Sequence, residues 1–267
     1  MSRATKLEFR TVLPILLIGI ALVVIHYGVP GELQTRLAFN HSNPAPWAFL
    51  TAAYVHASTM HLAKNLLGFG VGAVVAYQLC VLQGRRRWFL ITTGAFLIVL
   101  PVLVSLSSYL AFQSLGLAPT SRGFSGVVAG YGGFVLVALA RWVANRYGAS
   151  VGRDVGQGIL ILLLGEVAII YTGVPSPLVS AMLAVGLVLF GGSLLWRGGQ
   201  REWMTGDRRQ VAVDVLFVGL GGVLLGVFVW ALFPATLVAG GRTVNVIAHF
   251  AGFVWGIVVA LIGEVGI

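Results

Sequence analysis

The stretch of sequence that decides the fold covers residues 123–141 and reads GFSGVVAGYGGFVLVALAR. A helix over its apolar part, 124–141, would be about 27 Å long at 1.5 Å per residue. That length is close to the roughly 30 Å hydrocarbon core of a bilayer. The stretch also places the hydroxyl of Ser125 between Gly123 and Gly126. It therefore predicts a short membrane-spanning helix that begins with a serine.

The rest of the chain has the same apolar character. Of its 267 residues 58% are hydrophobic and only 9% are charged, with a mean hydropathy of +0.95, whereas about a quarter of a soluble domain is charged. No β-barrel alternation is present, so helices must satisfy the backbone hydrogen bonds. The sequence predicts an all-α, polytopic membrane helical bundle that forms one domain over 1–267. Eight apolar segments have spanning length: 11–29, 55–82, 88–112, 124–141, 157–173, 177–196, 211–233 and 244–263.

Positive charge is distributed unevenly among the segments that connect these spans. With the N-terminus in the cytoplasm, the other side of the membrane receives only Arg36, Arg122 and Arg242. This bias predicts a multi-pass protein of the cell membrane with a cytoplasmic N-terminus. A net charge of +9 would suggest a nucleic-acid partner in a soluble protein, but in a membrane protein the distribution of the charge tells more than its sum. We expect contact with the lipid bilayer and no nucleic-acid partner. The cytoplasmic side collects Arg3, Lys6, Arg10, Arg85, Arg86, Arg87, Arg141, Arg146, Arg153, Arg197, Arg201, Arg208 and Arg209.

Polar residues recur at one level of this topology. The second, fourth and eighth spans all begin on the extracytoplasmic side, and their outer parts carry His56, His61, Asn65, Ser125 and His249. Polar groups inside a membrane are costly and usually face a protein or water-filled interior. His61 and Asn65 are four residues apart and share one helical face, whereas His56 lies about half a turn away from that face. We expect the first two to act together and His56 to be structural.

Small residues form matching stripes on the fourth and eighth spans. Such stripes allow two helix backbones to approach closely. The approach would bring Ser125 and His249 within reach of each other. The first stripe consists of Gly126, Gly130 and Gly133, and the second of His249, Gly252 and Gly256.

These groups fit covalent catalysis by a serine. A neutral histidine can take the proton of Ser125 as the hydroxyl attacks a carbonyl, so His249 is the predicted general base. The backbone N–H of Ser125, the Asn65 amide and His61 are the predicted donors to the oxyanion. The aspartates at 154, 207 and 214 fall toward the cytoplasmic side. We therefore predict a Ser/His dyad and not a triad.

With these motifs the chain resembles the rhomboid family of intramembrane serine proteases. The resemblance implies a six-helix core with two extra spans, nucleophile Ser125, base His249, and oxyanion stabilisation by His61 and Asn65. It further implies cleavage of transmembrane segments in single-span or multi-span membrane proteins near their extracytoplasmic end, without a metal or other cofactor. Three family patterns carry it: W-x-x-x-T with H-x4-H-x3-N at Trp47, Thr51, His56, His61 and Asn65; G-x-S-G-x-x-x-G at Gly123, Ser125, Gly126 and Gly130; and A-H-x-x-G-x-x-x-G at Ala248, His249, Gly252 and Gly256.

The chain departs from the family pattern in three places. Ala48 follows Trp47 where the family has an arginine, and Ala129 stands where many relatives carry an aromatic residue against the catalytic histidine. Three spans, and not one, separate the serine from the histidine. An even number of inserted spans keeps both residues on the same side of the membrane.

Two other classes of function remain open at this point. A catalytically inactive rhomboid-like protein that binds membrane clients would not need both Ser125 and His249. A transporter would show midplane sites with broken helices and inverted repeats, which are not evident. Neither H-E-x-x-H nor G-x-G-D is present, so metallo- and aspartyl intramembrane proteolysis fit poorly. His26 and His41 match no pattern and are assigned to an interface or a loop.

Overall fold

The computed structural model describes residues 3–198, 208–236, 238–239 and 242–265, and they are almost entirely helical. Besides the helices there are two short antiparallel pairs, β1 (Phe39–Asn40) with β2 (Thr120–Ser121) and β3 (Val238–Ala239) with β4 (Arg242–Thr243). A 3-10 turn covers Ala52–Tyr54, and a π-helix, Val188–Gly198, continues α8. The helices are α1 (Arg3–Gly28), α2 (Gly31–Leu37), α3 (Ala48–Thr51), α4 (Thr59–Leu82), α5 (Arg86–Ser114), α6 (Ser125–Tyr147), α7 (Ala149–Thr172), α8 (Pro177–Leu187), α9 (Arg208–Leu232) and α10 (Val246–Val265).

The predicted all-α membrane bundle is confirmed. Seven helical stretches of the described chain are long and apolar enough to cross a bilayer, and the first predicted span is a shorter apolar helix, Leu13–Gly28. Helix α6 has 23 residues, so the prediction of a short fourth helix was wrong. The helix continues through Trp142–Tyr147, beyond the charged Arg141 at which the predicted apolar segment ended. The seven stretches are Thr59–Leu82, Arg86–Ser114, Ser125–Tyr147, Ala149–Thr172, Pro177–Leu194, Arg209–Leu232 and Val246–Val265.

Local sequence explains where several helices begin and end. The Ser58 hydroxyl accepts a hydrogen bond from the His61 N–H at 3.3 Å and caps α4. Ser176 caps α8 in the same way, and Pro177 occupies the first helical position, where a missing N–H costs nothing. Helix α7 ends at Gly173, whose φ of 76° is the left-handed conformation that glycine adopts most easily.

The described chain divides into two compact units, Met1–Phe134 with Leu237–Ile267, and Val135–Thr236. The boundary falls inside α6, so that one continuous helix belongs to both. The prediction of a single domain over 1–267 stays a prediction.

In the first unit, α10 packs along α5. The indole N–H of Trp88 on α5 donates to the Ala260 carbonyl at 2.8 Å, and that of Trp255 on α10 donates to the Ser107 hydroxyl at 3.0 Å. The single cysteine, Cys80, is fully buried on α4. Aromatic rings from α4, α5 and α6 fill the core between these helices. They include Phe69, Phe89, Phe96, Tyr131 and Phe134.

In the second unit, α7 packs against α8 and the π-helix. Asp214 on α9 is buried and ties that helix to the end of α6. Its carboxylate pairs with Arg146 and accepts hydrogen bonds from Tyr147 at 2.7 Å and Gln210 at 2.8 Å. Every oxygen of this buried charge is therefore engaged, as a buried carboxylate requires.

Candidate active site

The central feature of the site is a contact between a serine and a histidine. Ser125 is the first residue of α6 and His249 is the fourth of α10. Their Oγ and Nε2 atoms lie 2.8 Å apart, which is hydrogen-bond distance for a hydroxyl that donates to a neutral imidazole. His249 is buried and Ser125 is half-buried. The structure thus brings together two groups that are 124 residues apart in the chain.

Close backbone packing of α6 on α10 makes this contact possible. A Cβ added to Gly252 would lie 2.8 Å from the carbonyl carbon of Gly126, and one added to Gly256 would lie 2.5 Å from Cα of Gly130. Side chains at these positions would force the two backbones apart. The two predicted glycine stripes face each other, and His249 lies one turn before Gly252.

The turn that leads into α6 is held by the segment before α4. The Gly123 N–H donates to the Ala52 carbonyl at 2.9 Å, and the Phe124 N–H donates to Nε2 of His56 at 3.4 Å. Gly123 has φ of 124°, a conformation that residues with a side chain rarely adopt. These hydrogen bonds hold the two residues before Ser125 and so fix the position of Ser125 at the start of α6.

His61 and Asn65 lie against this same turn. A Cβ built on Gly123 would be 2.7 Å from Nε2 of His61 and 3.3 Å from Nδ2 of Asn65. The glycine therefore leaves room for both side chains two residues before Ser125. Asn65 is buried, and its Nδ2 has no hydrogen-bond partner among the described residues. A buried amide donor without a partner is costly, and a ligand oxygen beside Gly123 would satisfy it.

His56 contacts His61 and the residue just before Ser125. It is buried, its ring packs edge-on against His61 with centroids 5.4 Å apart, and its Nε2 accepts from the backbone of Phe124. It contacts both His61 and the turn that leads to Ser125. Helix α4 begins only at Thr59, so His56 lies outside the helix and the helical-phase argument made from the sequence does not apply to it.

The positions where the chain departs from the rhomboid pattern have local explanations. Ala48 is fully buried in a cluster with Phe39 and Ala52, so a small apolar residue fits there. Trp47 is exposed, and its indole donates to the Arg36 carbonyl at 3.4 Å. Ala129 is also fully buried, on α6.

Sequence reasoning missed Asn245, the residue just before α10. Its Oδ1 accepts from the Ala248 N–H at 2.9 Å, and its Nδ2 donates to the hydroxyls of Ser108 at 2.7 Å and Ser121 at 2.8 Å. An asparagine four residues before His249, ahead of an apolar run, is a helix-cap signal that could have identified it.

His41 was assigned to an interface or a loop, and it does lie in the connection between α2 and α3. It is nevertheless fully buried. Its Nδ1 contacts the Pro119 carbonyl at 2.7 Å and its Nε2 contacts the Ser108 hydroxyl at 3.1 Å. Burial lowers the pKa of His41 because the charged ring would lose its hydration, and the hydrogen bond to Pro119 opposes this shift.

Within the described residues, no group of three or more histidine, cysteine, aspartate or glutamate side chains is placed to hold a metal ion. In comparisons of the chain with known proteins, no family model, no curated protein and no solved structure matches it. The geometry of the site is therefore the basis for assigning a function.

Proposed function

We propose that this protein is a rhomboid-type intramembrane serine endopeptidase that cleaves transmembrane segments of single-span or multi-span membrane proteins. The observation that carries the proposal is the 2.8 Å contact between Ser125 Oγ and His249 Nε2. It lies at the beginning of two helices with the length and apolarity of membrane spans. A serine alone is a weak nucleophile, and an imidazole at this distance is what activates it.

In the proposed reaction, His249 Nε2 takes the Ser125 hydroxyl proton as Oγ attacks the carbonyl carbon of the scissile peptide bond. The carbonyl π bond breaks and its oxygen becomes an oxyanion. The imidazolium then gives its proton to the leaving nitrogen as the C–N bond breaks, which leaves an ester on Ser125. Water, deprotonated by His249, hydrolyses that ester and restores both residues.

The oxyanion needs donors that are in place before the reaction. Asn65 supplies Nδ2, a buried N–H group with no partner among the described residues. The backbone N–H of Ser125 stands at the first position of α6, where no intrahelical carbonyl is available to it. His61 lies on the same side of Gly123. Donors of this kind are typically worth about 2.7–4 kcal/mol each in the transition state.

The charges of the loops support a cell-membrane location and a defined orientation of the protein in that membrane. With the N-terminus in the cytoplasm of a cell-membrane protein, the beginnings of α4, α6 and α10 face the extracytoplasmic side. Cleavage would then occur near the outer end of a substrate's membrane segment. The chemistry uses neither a metal nor another cofactor.

A labelled fluorophosphonate probe tests the proposal directly. We expect covalent modification of the purified protein in detergent or lipid, and loss of that modification in Ser125→Ala and in His249→Ala. Ser42→Ala, which changes an exposed loop hydroxyl, is the matched control and should label like the wild type. Labelling that persists in Ser125→Ala, or that is absent from a folded wild-type protein, would reject the protease and favour a membrane-client binding protein.

A positive result should be followed by substrate identification. The protein in lipid would be incubated with a panel of single-span membrane proteins, and mass spectrometry would locate the cuts. We expect cuts inside the membrane segment that disappear with Ser125→Ala.

A further inference from the structure

We infer that Asn245 is a positioning residue for His249, and that a hydrogen-bond chain through Ser108 to His41 holds Asn245 in place. The inference rests on the proposed function, because it concerns the base of the proposed dyad. It assigns a role to buried polar groups that the reaction itself does not use. The set His41, Ser108, Asn245 and Ser121 is called the Asn245 network below.

Each hydrogen bond of the Asn245 network has a defined direction. The Pro119 carbonyl can only accept, so Nδ1 of His41 carries the proton in the 2.7 Å contact between them. The Nε2 of the neutral ring is then an acceptor, and the Ser108 hydroxyl donates to it at 3.1 Å. Ser108 in turn accepts from Asn245 Nδ2 at 2.7 Å. The tautomer of His41 thus fixes which way the whole chain of donors points.

The side-chain amide of Asn245 is fixed in the same unambiguous way. Its Oδ1 accepts from a backbone N–H, that of Ala248, so the other amide atom must be the nitrogen. Both hydrogens of that nitrogen are used, one toward Ser108 and one toward Ser121. A single rotamer satisfies all three contacts, and rotation of the side chain would break them together.

The Asn245 network reaches His249 through the first turn of α10. Asn245 accepts from Ala248, the residue just before His249, and the His249 N–H contacts the Asn245 carbonyl at 3.4 Å. Ser108 belongs to α5 and Ser121 to β2, which leads into the serine turn. Asn245 therefore ties the histidine helix both to α5 and to the segment before Ser125.

The part of the network that holds Asn245 in place, His41 and Ser108, lies in the interior, whereas Asn245 and Ser121 are half-buried. His41 is fully buried and Ser108 nearly so. The Gln113 side chain holds the His41 carbonyl at 2.9 Å, and the His41 N–H donates to Pro119 at 3.1 Å. Buried polar groups that are fully hydrogen-bonded, as His41 is here, favour one arrangement of their surroundings.

Helix α5 offers a matched control in the neighbouring serine. Ser107 also bonds α10, through the indole of Trp255 at 3.0 Å, but it does so beyond His249 and outside the Asn245 network. Ser107→Ala and Ser108→Ala remove the same group from adjacent residues of one helix. If any contact between α5 and α10 were enough to position His249, the two variants would slow the labelling of Ser125 equally. If His249 is positioned through Asn245, only Ser108→Ala should slow it.

The test combines two measurements on full-length protein. The first is the rate at which a fluorophosphonate probe labels Ser125. The second is the ¹⁵N spectrum of the imidazole of His249 in ¹⁵N-histidine-labelled protein, which has five histidines to assign. The variants are Asn245→Asp, Ser108→Ala, the two combined, and Ser107→Ala. Asn245→Asp keeps an acceptor for Ala248 and loses both amide donors, so it separates positioning from simple helix capping.

We expect Asn245→Asp and Ser108→Ala each to slow labelling by about tenfold or more, because an ångström of misplacement can cost on the order of 100-fold. The double variant should label only slightly more slowly than either single variant, because each single change already breaks the hydrogen bond between Asn245 and Ser108. The His249 resonances should shift in these variants and stay in place in Ser107→Ala, which should label within about twofold of wild type.

Equal behaviour of the Ser107 and Ser108 variants in both measurements, or unmoved His249 resonances in Asn245→Asp, would overturn the inference. The spectrum needs no reaction at Ser125. A wild-type protein that fails to label would therefore reject the proposed function, while the His249 resonances would still decide whether Asn245 positions this ring. Ser108→Ala keeps the test decisive if Asn245→Asp does not fold.

Discussion

Two of the glycine-lined helix crossings in the described part of the chain differ in the groups beside them, because one carries reactive side chains and the other carries apolar ones. In the α6–α10 crossing, Gly126 and Gly130 meet Gly252 and Gly256. In the α7–α8 crossing, a Cβ on Gly158 would lie 2.8 Å from the carbonyl oxygen of Gly186. Both crossings permit close approach of two backbones.

The side chains around the two crossings differ. Above the first, Ser125 and His249 are in contact, with Asn65 close by. Beside the second, the neighbours of Gly186 and Gly165 are the leucine side chains of Leu162 and Leu183. Glycine packing supplies proximity in both places. Chemistry requires, in addition, that complementary donors and acceptors lie at the same level of the two helices.

The largest expected effect follows from removing a proposed oxyanion donor, Asn65, which lies beside the α6–α10 crossing. Asn65→Ala should slow acylation of Ser125 by roughly 10²–10³-fold and leave residual activity, because one oxyanion donor is lost while the dyad remains. Labelling rates of the purified variants measure this. The control on the same helix is Tyr77→Phe, which removes another buried polar atom without a partner among the described residues. A rate for Asn65→Ala as high as that of Tyr77→Phe would remove Asn65 from the oxyanion site.

The second effect compares the crossings themselves. Gly252→Ala and Gly158→Ala should each lower the free energy of unfolding by about 1–3 kcal/mol, since each adds a methyl group against a backbone that cannot move aside. Only Gly252→Ala should also slow labelling, by about 100-fold if the dyad separates by an ångström. Unfolding in detergent and labelling kinetics give the two values. Similar labelling losses in both variants would show that the crossings are not functionally distinct.

A third, smaller effect separates backbone strain from site geometry. Gly123 and Gly173 both have positive φ, of 124° and 76°, but a Cβ on Gly173 would meet open space whereas one on Gly123 would meet His61. Replacement by alanine should destabilise each by about 1–3 kcal/mol. We expect labelling to fall in Gly123→Ala and to persist in Gly173→Ala. Wild-type labelling by folded Gly123→Ala would place the oxyanion donors elsewhere.

The smallest effect concerns pH and His41. Its pKa in the folded protein lies below the ordinary 6.5 because of burial. Below about pH 6.5 the unfolded chain therefore binds a proton that the folded chain does not, and the free energy of unfolding falls as pH decreases toward the folded pKa. Denaturation curves from about pH 8 to about pH 5 should show a shallower decline for His41→Gln than for wild type. Parallel curves would mean that His41 titrates alike in both states.

Much of this architecture could be predicted from the sequence because it depends on local patterns. Hydropathy located the spans, since burial in lipid demands long apolar helices. The glycine stripes and the i, i+4 pair His61 and Asn65 are periodic, and periodicity translates directly into helical faces. The extension of α6 through Tyr147 was missed because the predicted segment was ended at the charged Arg141, whereas a helix can continue past a charged residue.

The Asn245 network could not be predicted because it depends on tertiary contacts. Asn245 and Ser108 are 137 residues apart, and His41 lies 67 residues from Ser108. No periodic pattern connects them, and a histidine in a loop is exposed more often than buried. The short β1–β2 pairing, which joins Phe39 to Ser121, likewise depends on residues far apart in the chain.

The burial of Cys80 has a practical consequence for orienting this molecule. Because the chain's only thiol is enclosed within the protein, a cysteine introduced at an exposed position would be the sole target for a membrane-impermeant maleimide. Ser42, in the connection between α2 and α3, and Ser150, in the first turn of α7, are exposed positions where sulfur replaces oxygen with little change in shape. Reaction of intact cells with each single variant would reveal which of the two positions faces the medium, without first engineering a thiol-free background.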